Sequence, residues 1–122
     1  VEAGAGAFND LELNASRHGD SIEAVRHSVD LFLESVTRAP CFVLAVPPRA
    51  GLGKTVIRQL LRLMPRRLAI VSCDPATLAR DLAALIAGGY AIQSVSLVDL
   101  FPHTFHIETV VHLLPGGERQ GL

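Results

Sequence analysis

Between residues 41 and 98, short apolar runs alternate with longer runs that have helical periodicity. The strand-like runs are CFVLAV, RRLAIVS and YAIQSVSLV, and the helix-like runs between them are TVIRQLLRLM and ATLARDLAALIAG. Pro65 ends the first helix, Asp74 and Pro75 open the second, and Gly88 and Gly89 end it. Because alternating strands and helices form parallel sheets, the sequence predicts an α/β fold with a mostly parallel sheet and helices on both faces. CFVLAV, bounded by prolines, is predicted to be a buried central strand.

The last strand-like run, HIETVVHLL, follows its predecessor too closely for a parallel crossover. The link, residues 98–105, is shorter than the dozen or so residues that such a crossover needs, so an antiparallel last strand is predicted. Ligands bind at the carboxyl ends of parallel strands, and an antiparallel strand brings its beginning to that edge. The residues predicted to share this edge are Val46, Cys73, Asp99 and Glu108.

The two ends of the chain give weaker signals. Residues 8–17, FNDLELNASR, predict a short helix that stops at Gly19, and SIEAVRHSV is predicted to be a strand. Asp30 is predicted to cap a helix in LFLESV. Residues 115–122, PGGERQGL, are predicted to form a flexible tail.

Composition and charge exclude several classes of protein. The 122 residues carry 11 Lys and Arg against 12 Asp and Glu, so bulk charge does not indicate a nucleic-acid partner. Polar residues interrupt every long apolar stretch and no secretory signal is apparent, so a soluble, cytoplasmic protein with no membrane partner is expected. The two cysteines, Cys41 and Cys73, are expected to be free thiols, and they exclude a four-cysteine metal site within the chain. His103 and His106 have no further ligand cluster beside them, so no metal is predicted.

Cys73 and Glu108 have the chemistry of a nucleophile and a base. Cys73 stands between a buried strand and a helix N-terminus, where free N–H groups stabilise a thiolate, but an inert buried cysteine is equally consistent with that position. Glu108 lies on the face of its strand opposite Ile107 and Thr109, where an acid ordinarily points to solvent. Position alone therefore leaves both roles open.

The segment PRAGLGKT lies between a strand and a helix, as the phosphate loop of nucleotide hydrolases does. That pattern requires a glycine six residues before Lys54, and Pro48 stands there instead. Proline has no N–H to offer a phosphate. A hydrolase that binds ATP through Lys54 is therefore kept only as an alternative.

Three segments, PPRAGL, VSCDPATLARDL and DLFPHTFHIETVVHL, closely resemble the carboxy-terminal catalytic region of the S-adenosylmethionine-dependent RNA uracil-5-methyltransferases, which make 5-methyluridine in tRNA or rRNA. The resemblance implies a Rossmann-like methyltransferase fold, S-adenosylmethionine as cofactor and RNA as substrate. It implies that Cys73 adds to carbon 6 of uracil and that Glu108 later removes the proton from carbon 5. Arg49 also matches the family's target-base pocket. The other matching pocket residues form the FPHT segment: Phe101, Pro102, His103 and Thr104.

The resemblance extends, with decreasing specificity, over residues 1–114, which are expected to be the carboxy-terminal part of a class I methyltransferase domain. VEAGAGAFNDLELNA is similar to the stretch in which an acid ends the second strand, so Glu2 is expected to bind the cofactor ribose and Gly4 and Gly6 to enter a helix. The alternative alignment makes GAGAF the glycine loop. On the first alignment the first strand, the glycine loop and the RNA-binding domain lie outside this chain, which alone would bind the cofactor poorly.

Val46 is the main departure from the family pattern, which usually has an aspartate near the cofactor before PPR. Valine neither accepts a hydrogen bond nor carries a charge. A non-catalytic remnant or interaction module with the same fold is therefore the alternative from another functional class.

Overall fold

The computed structural model of the chain describes residues 1–117 and divides the chain into two units, Val1–Thr37 and Arg38–Leu122. The first unit contains helix α1 (Ala5–Ser16), a 3-10 turn (Gly19–Ser21) and helix α2 (Val29–Ser35). The predicted first helix is confirmed, and it begins three residues before the predicted start at residue 8.

Two predictions for the first unit are wrong. SIEAVRHSV forms no strand: Glu2 and Arg26 make an isolated parallel bridge, in which the Glu2 N–H donates to the Val25 carbonyl over 3.0 Å. A single bridge leaves the neighbouring residues without ladder partners, so extended backbone alone does not make a strand here. The N-cap of α2 is Ser28, which puts Asp30 inside the first turn of the helix rather than at its cap.

The second unit contains a four-stranded sheet and two helices. In chain order they are β1 (Phe42–Ala45), α3 (Lys54–Leu63), β2 (Arg67–Ser72), α4 (Pro75–Ala87), β3 (Tyr90–Val98) and β4 (Glu108–Pro115). The strand order is β1-β2-β4-β3. β1 pairs with β2 in parallel, and β4 lies between β2 and β3 and is antiparallel to both. The predicted antiparallel last strand and the α/β class are confirmed.

Alternation along β4 buries one face of the sheet. Thr109, Val111 and Leu113 are buried, whereas the intervening residues are half-buried or exposed, which confirms the predicted period of two. On β2 the same face carries Leu68 and Ile70, at 0% and 1% exposure. Helices α3 and α4 pack over this face and supply further buried side chains: Ile57, Leu60, Leu63, Leu78 and Leu85. Helices on both faces stay a prediction.

The prediction that CFVLAV is a buried central strand is wrong for the described sheet. β1 pairs with β2 along one edge, and no other described strand pairs with its opposite edge. By register Phe42 and Leu44 share the face of Arg67 and Ala69, opposite the face that α3 and α4 cover, and they are 51% and 58% exposed.

Asp74 caps α4 as predicted, because its side chain accepts a hydrogen bond from the Thr77 N–H. β4 continues through Pro115, and the Gly116 N–H donates to the Gly89 carbonyl over 2.7 Å, so residues 115 and 116 of the predicted tail are held by hydrogen bonds. The rest of that tail, residues 118–122, lies outside the described residues. Within residues 1–117, none of the helices has the length and apolar character that crossing a membrane requires.

Candidate active site at the strand ends

Strand register brings Cys73 and Glu108 to the same edge of the sheet. The β2–β4 ladder ends at the pair Ser72–Thr109, and Cys73 and Glu108 are the residues next to this last pair. Ser72 and Thr109 belong to the buried face of the sheet, so Glu108, which precedes Thr109 on β4, projects from the opposite face. Cys73 follows the last residue of β2 and lies in the bend before α4.

The other residues predicted for this edge also lie at strand ends. Val46 directly follows β1, and Asp99 directly follows Val98, which pairs with Glu108. Val46 is 69% exposed, so its side chain is presented at the edge rather than packed in the core.

The turn that carries Cys73 is held by side-chain hydrogen bonds on both sides of the cysteine. The Ser72 hydroxyl donates to the Asp74 carbonyl over 3.1 Å and accepts from the Asp74 N–H over 3.2 Å. The Thr77 N–H donates to Asp74 Oδ1 over 2.9 Å, and this bond holds the pKa of Asp74 below its ordinary value. Cys73 itself is a free, half-buried thiol at the N-terminus of α4. It is thus both accessible and close to the positive end of a helix dipole.

Arg49 connects the loop after β1 to the segment before β4. Its Nη2 lies 3.3 Å from Nδ1 of His106. Because a guanidinium can only donate, His106 Nδ1 is the acceptor, and a neutral His106 ring carries its proton on Nε2. One side-chain contact therefore joins the loop of Arg49 to the segment between the FPHT turn and Glu108.

The FPHT segment folds into a turn beside this contact. The Thr104 N–H and hydroxyl both donate to the Phe101 carbonyl, over 3.1 and 2.7 Å, and the Thr104 hydroxyl accepts from the His106 N–H over 3.2 Å. His103 adopts the left-handed conformation, with φ of 68°. Pro102 and the rest of the turn are exposed. The Phe101 ring meets the His106 ring edge-on, with centroids 6.4 Å apart.

The sequence pattern indicates His106 only as a possible metal ligand and does not indicate this connecting role. Its position two residues before Glu108 was the available signal, but its partner Arg49 is 57 residues away in the chain. Within the described residues no group of three His, Cys, Asp or Glu side chains could hold a metal ion.

The loop after β1 does not present its amides as a phosphate loop does. The Gly51 N–H donates to the Pro48 carbonyl over 2.8 Å, and the Leu52 N–H donates to Asp81 Oδ2 over 2.7 Å. Two amides of the segment are thus already used by the protein, which counts against the nucleotide-hydrolase alternative.

In the first unit, Glu2 lies two residues before Gly4, the N-cap of α1, and is half-buried. Its Oε1 accepts a hydrogen bond from the Gly4 N–H over 2.7 Å. Gly4 is the N-cap of α1, with φ of −69°, and Gly6 lies inside the helix. The prediction that these glycines enter a helix is confirmed, and the GAGAF glycine-loop alternative is disfavoured.

The family model and the named relatives that match this chain agree on one family. Residues 13–115 match the family model described as tRNA (Uracil-5-)-methyltransferase. An uncharacterized RNA methyltransferase of Thermotoga maritima is 43% identical over 96 residues, which are 79% of this chain and 22% of the relative. The 23S rRNA (uracil(1939)-C(5))-methyltransferase RlmD of an Enterobacter species is 40% identical over 100 residues, 77% of this chain and 23% of that protein.

A solved structure supports the same fold. The Pyrococcus abyssi tRNA (uracil-54, C5)-methyltransferase, in complex with S-adenosyl-L-homocysteine, superposes with a TM-score of 0.77 at 30% identity. The superposition covers 92% of this chain and 27% of that one. The chain spans about a quarter of the length of the relatives that it matches. The predicted Rossmann-like methyltransferase fold is confirmed.

Proposed function

Because the chain belongs to the tRNA (uracil-5-)-methyltransferase family, we propose that the protein transfers a methyl group from S-adenosylmethionine to carbon 5 of a uridine in tRNA or rRNA. The observation that supports the proposal most directly is that Cys73 and Glu108 both adjoin the last pair of the β2–β4 ladder, Ser72–Thr109, at the carboxyl end of β2. RlmD and the Pyrococcus abyssi enzyme are named as uracil methyltransferases of 23S rRNA and of tRNA, which supports an RNA substrate. We propose that the reaction takes place in the cytoplasm.

Cys73 activates the pyrimidine. Its thiolate donates an electron pair to carbon 6 and forms a sulfur–carbon bond, while the electrons of the C5–C6 double bond move toward the carbon 4 oxygen. The resulting enolate makes carbon 5 a nucleophile. When bound, S-adenosylmethionine would supply the methyl group that carbon 5 accepts, and the electron pair of the broken carbon–sulfur bond would stay with the departing sulfur.

Glu108 completes the exchange. Its carboxylate takes the proton from carbon 5, the electrons of the broken C–H bond re-form the C5–C6 double bond, and the pair in the S–C6 bond returns to Cys73 as thiolate. Glu108 is half-buried as the first residue of β4, which restricts its side chain at the edge while leaving it reachable by a substrate.

Residues around this pair are proposed to hold the uridine. Arg49 offers guanidinium donors that suit uracil carbonyls or a phosphate. The FPHT turn stands beside it through the contact of Arg49 with His106. Phe101 presents an aromatic ring, 54% exposed, of the kind that stacks on an unpaired base.

Two residues are proposed to contact the cofactor. The Glu2 carboxylate accepts one described hydrogen bond, from Gly4, and keeps lone pairs for the ribose hydroxyls, so its chemistry fits. Val46 fits only as an apolar contact at the sheet edge.

The test is covalent trapping with RNA that contains 5-fluorouridine, in the presence of S-adenosylmethionine. Fluorine at carbon 5 cannot leave as a proton, so an active enzyme stays attached to the RNA and migrates as an adduct in a denaturing gel. The assay uses this chain and, in parallel, the whole gene product. We expect an adduct that Cys73→Ala abolishes and that Cys41→Ala, the matched cysteine control, leaves unchanged. A folded protein that forms no adduct with tRNA or rRNA substrates contradicts the proposal.

Val46 supports a second candidate, a non-catalytic module with this fold. If that candidate is correct, wild-type protein forms no adduct and Val46→Asp, which restores the family's polar residue, creates the ability to form one. Equal adduct formation by wild type and Val46→Asp would remove this candidate.

A further inference from the structure

Asp81 is a buried carboxylate that the proposed chemistry does not use. It lies on α4 and is 1% exposed. Its Oδ2 accepts the hydrogen bond from the Leu52 N–H, and its Oδ1 accepts from Nη2 and Nε of Arg80, over 2.9 and 3.2 Å. Because a buried charge is costly unless it is paired and hydrogen-bonded, the loop amide and Arg80 together make this burial acceptable.

The loop after β1, residues 46–53, rests directly on this carboxylate. The backbone of Gly51 has φ of 85°, and a Cβ added there would collide with Asp81 Oδ2 and lie 2.6 Å from Arg80 Nη2. Arg80 also donates to the Ala50 carbonyl over 2.7 Å. The loop is therefore held at two successive peptide groups by neighbouring side chains of one helix.

Thr77 adds a third attachment. Its hydroxyl lies 2.9 Å from the Arg49 carbonyl, to which it donates, and 3.3 Å from the carbonyl and Oδ1 of Asp74. Thr77 and Asp81 are four residues apart, so they lie on the same face of α4. That helix begins directly after the turn that carries Cys73.

We infer that Asp81 and Thr77 are positioning residues, which fix the loop after β1 so that the Arg49 guanidinium reaches His106 in the segment that leads into Glu108. Thr77 binds the Arg49 carbonyl, and His106 binds the Arg49 side chain. The bond to Thr77 therefore sets the position of the Arg49 backbone from which the side chain extends to His106. The consequence for catalysis rests on the proposed function. The consequence for the loop and for His106 does not.

Two matched pairs of variants test the inference by NMR on the full chain. Asp81→Asn removes the charge that binds Leu52 and Arg80, and Leu85→Ala is its control, because Leu85 is fully buried on the same helix but has no polar group to hold the loop. Thr77→Val removes the hydroxyl at nearly constant shape, and Thr77→Ser restores it.

Two readouts need neither RNA nor cofactor. We expect hydrogen exchange at the Leu52 amide to be at least about tenfold faster in Asp81→Asn than in Leu85→Ala, after correction for global stability. The nitrogen shifts of His106 should move toward a mixture of tautomers in Thr77→Val and return to wild-type values in Thr77→Ser. Unchanged His106 shifts in Thr77→Val would overturn the inference. So would a Leu52 exchange rate that the change in global stability explains fully in both Asp81→Asn and Leu85→Ala.

The catalytic consequence is measured separately, as the dependence of methylation on RNA concentration. We expect Thr77→Val to raise KM for RNA more than it lowers kcat, because Arg49 is proposed to bind substrate. A wild-type protein that methylates nothing contradicts the proposed function, but the NMR results still decide the positioning role. Should Asp81→Asn fail to fold, the Thr77 pair decides it alone.

Discussion

Replacing Gly51 by alanine should be one of the most destabilising single-methyl changes in this chain. Gly51 has φ of 85°, a left-handed conformation that costs an L-residue about 1–2 kcal/mol. The added Cβ also collides with the buried Asp81 carboxylate, and moving that carboxylate breaks its hydrogen bond with the Leu52 N–H. A hydrogen bond to a charged group contributes about 1.5–3 kcal/mol. The two terms give an expected loss of about 2.5–5 kcal/mol.

Gly53→Ala is the matched control. Gly53 has φ of 80°, but a Cβ there would meet nothing within 4 Å. Its replacement therefore measures the conformational cost, about 1–2 kcal/mol, together with a smaller loss because Gly53 is the N-cap of α3. The difference between the two variants isolates the contact with Asp81.

The measurement is urea unfolding followed by circular dichroism, with the slope of each transition compared among the variants. We expect Gly51→Ala to lower the free energy of unfolding by about 2 kcal/mol more than Gly53→Ala. Equal losses would refute the reasoning, because they would mean that the Asp81 carboxylate moves aside freely and that the loop does not rest on it.

Three further predictions concern catalysis, pH and the cap of α4. Glu108→Gln should slow release of RNA by about 10²–10⁴-fold, so that the adduct with unfluorinated substrate accumulates in a denaturing gel; rapid turnover by this variant would exclude Glu108 as the base. Burial raises the pKa of Tyr90 to about 12, and its hydroxyl donates to the Pro65 carbonyl over 3.1 Å. The folded state thus favours the protonated phenol, so stability should be complete below about pH 10 and fall as the pH rises toward 12, with no such fall in Tyr90→Phe. Asp74→Ala should lower the melting temperature because it removes the acceptor for the Thr77 N–H, whereas Asp74→Asn should leave it nearly unchanged; equal melting of both variants would contradict the capping role.

The candidate site shows which parts of an active site follow from sequence pattern. The sequence suffices to predict that Cys73 and Glu108 lie at one edge of the sheet. Local apolar runs show where one strand ends and the other begins, and the short link between the last two strands shows that the last strand is antiparallel. The hydrogen bond between Arg49 and His106 could not be predicted from the sequence, because the two residues are 57 positions apart and both side chains are polar. Nothing in the local pattern around either residue indicates its partner.

The sequence by itself determined the features that depend on neighbours within one or two turns of chain. The bounds of β3, the capping of α4 by Asp74 and the alternate burial along β4 follow from turn residues, a side-chain acceptor and a period of two. Only the tertiary structure decided the exposure of β1 and the role of Asp81. Burial of a strand's side chains depends on which elements cover the two faces of the sheet, and Asp81 binds the Leu52 amide 29 residues away. Both are therefore properties of the assembled sheet and helices rather than of any local run of residues.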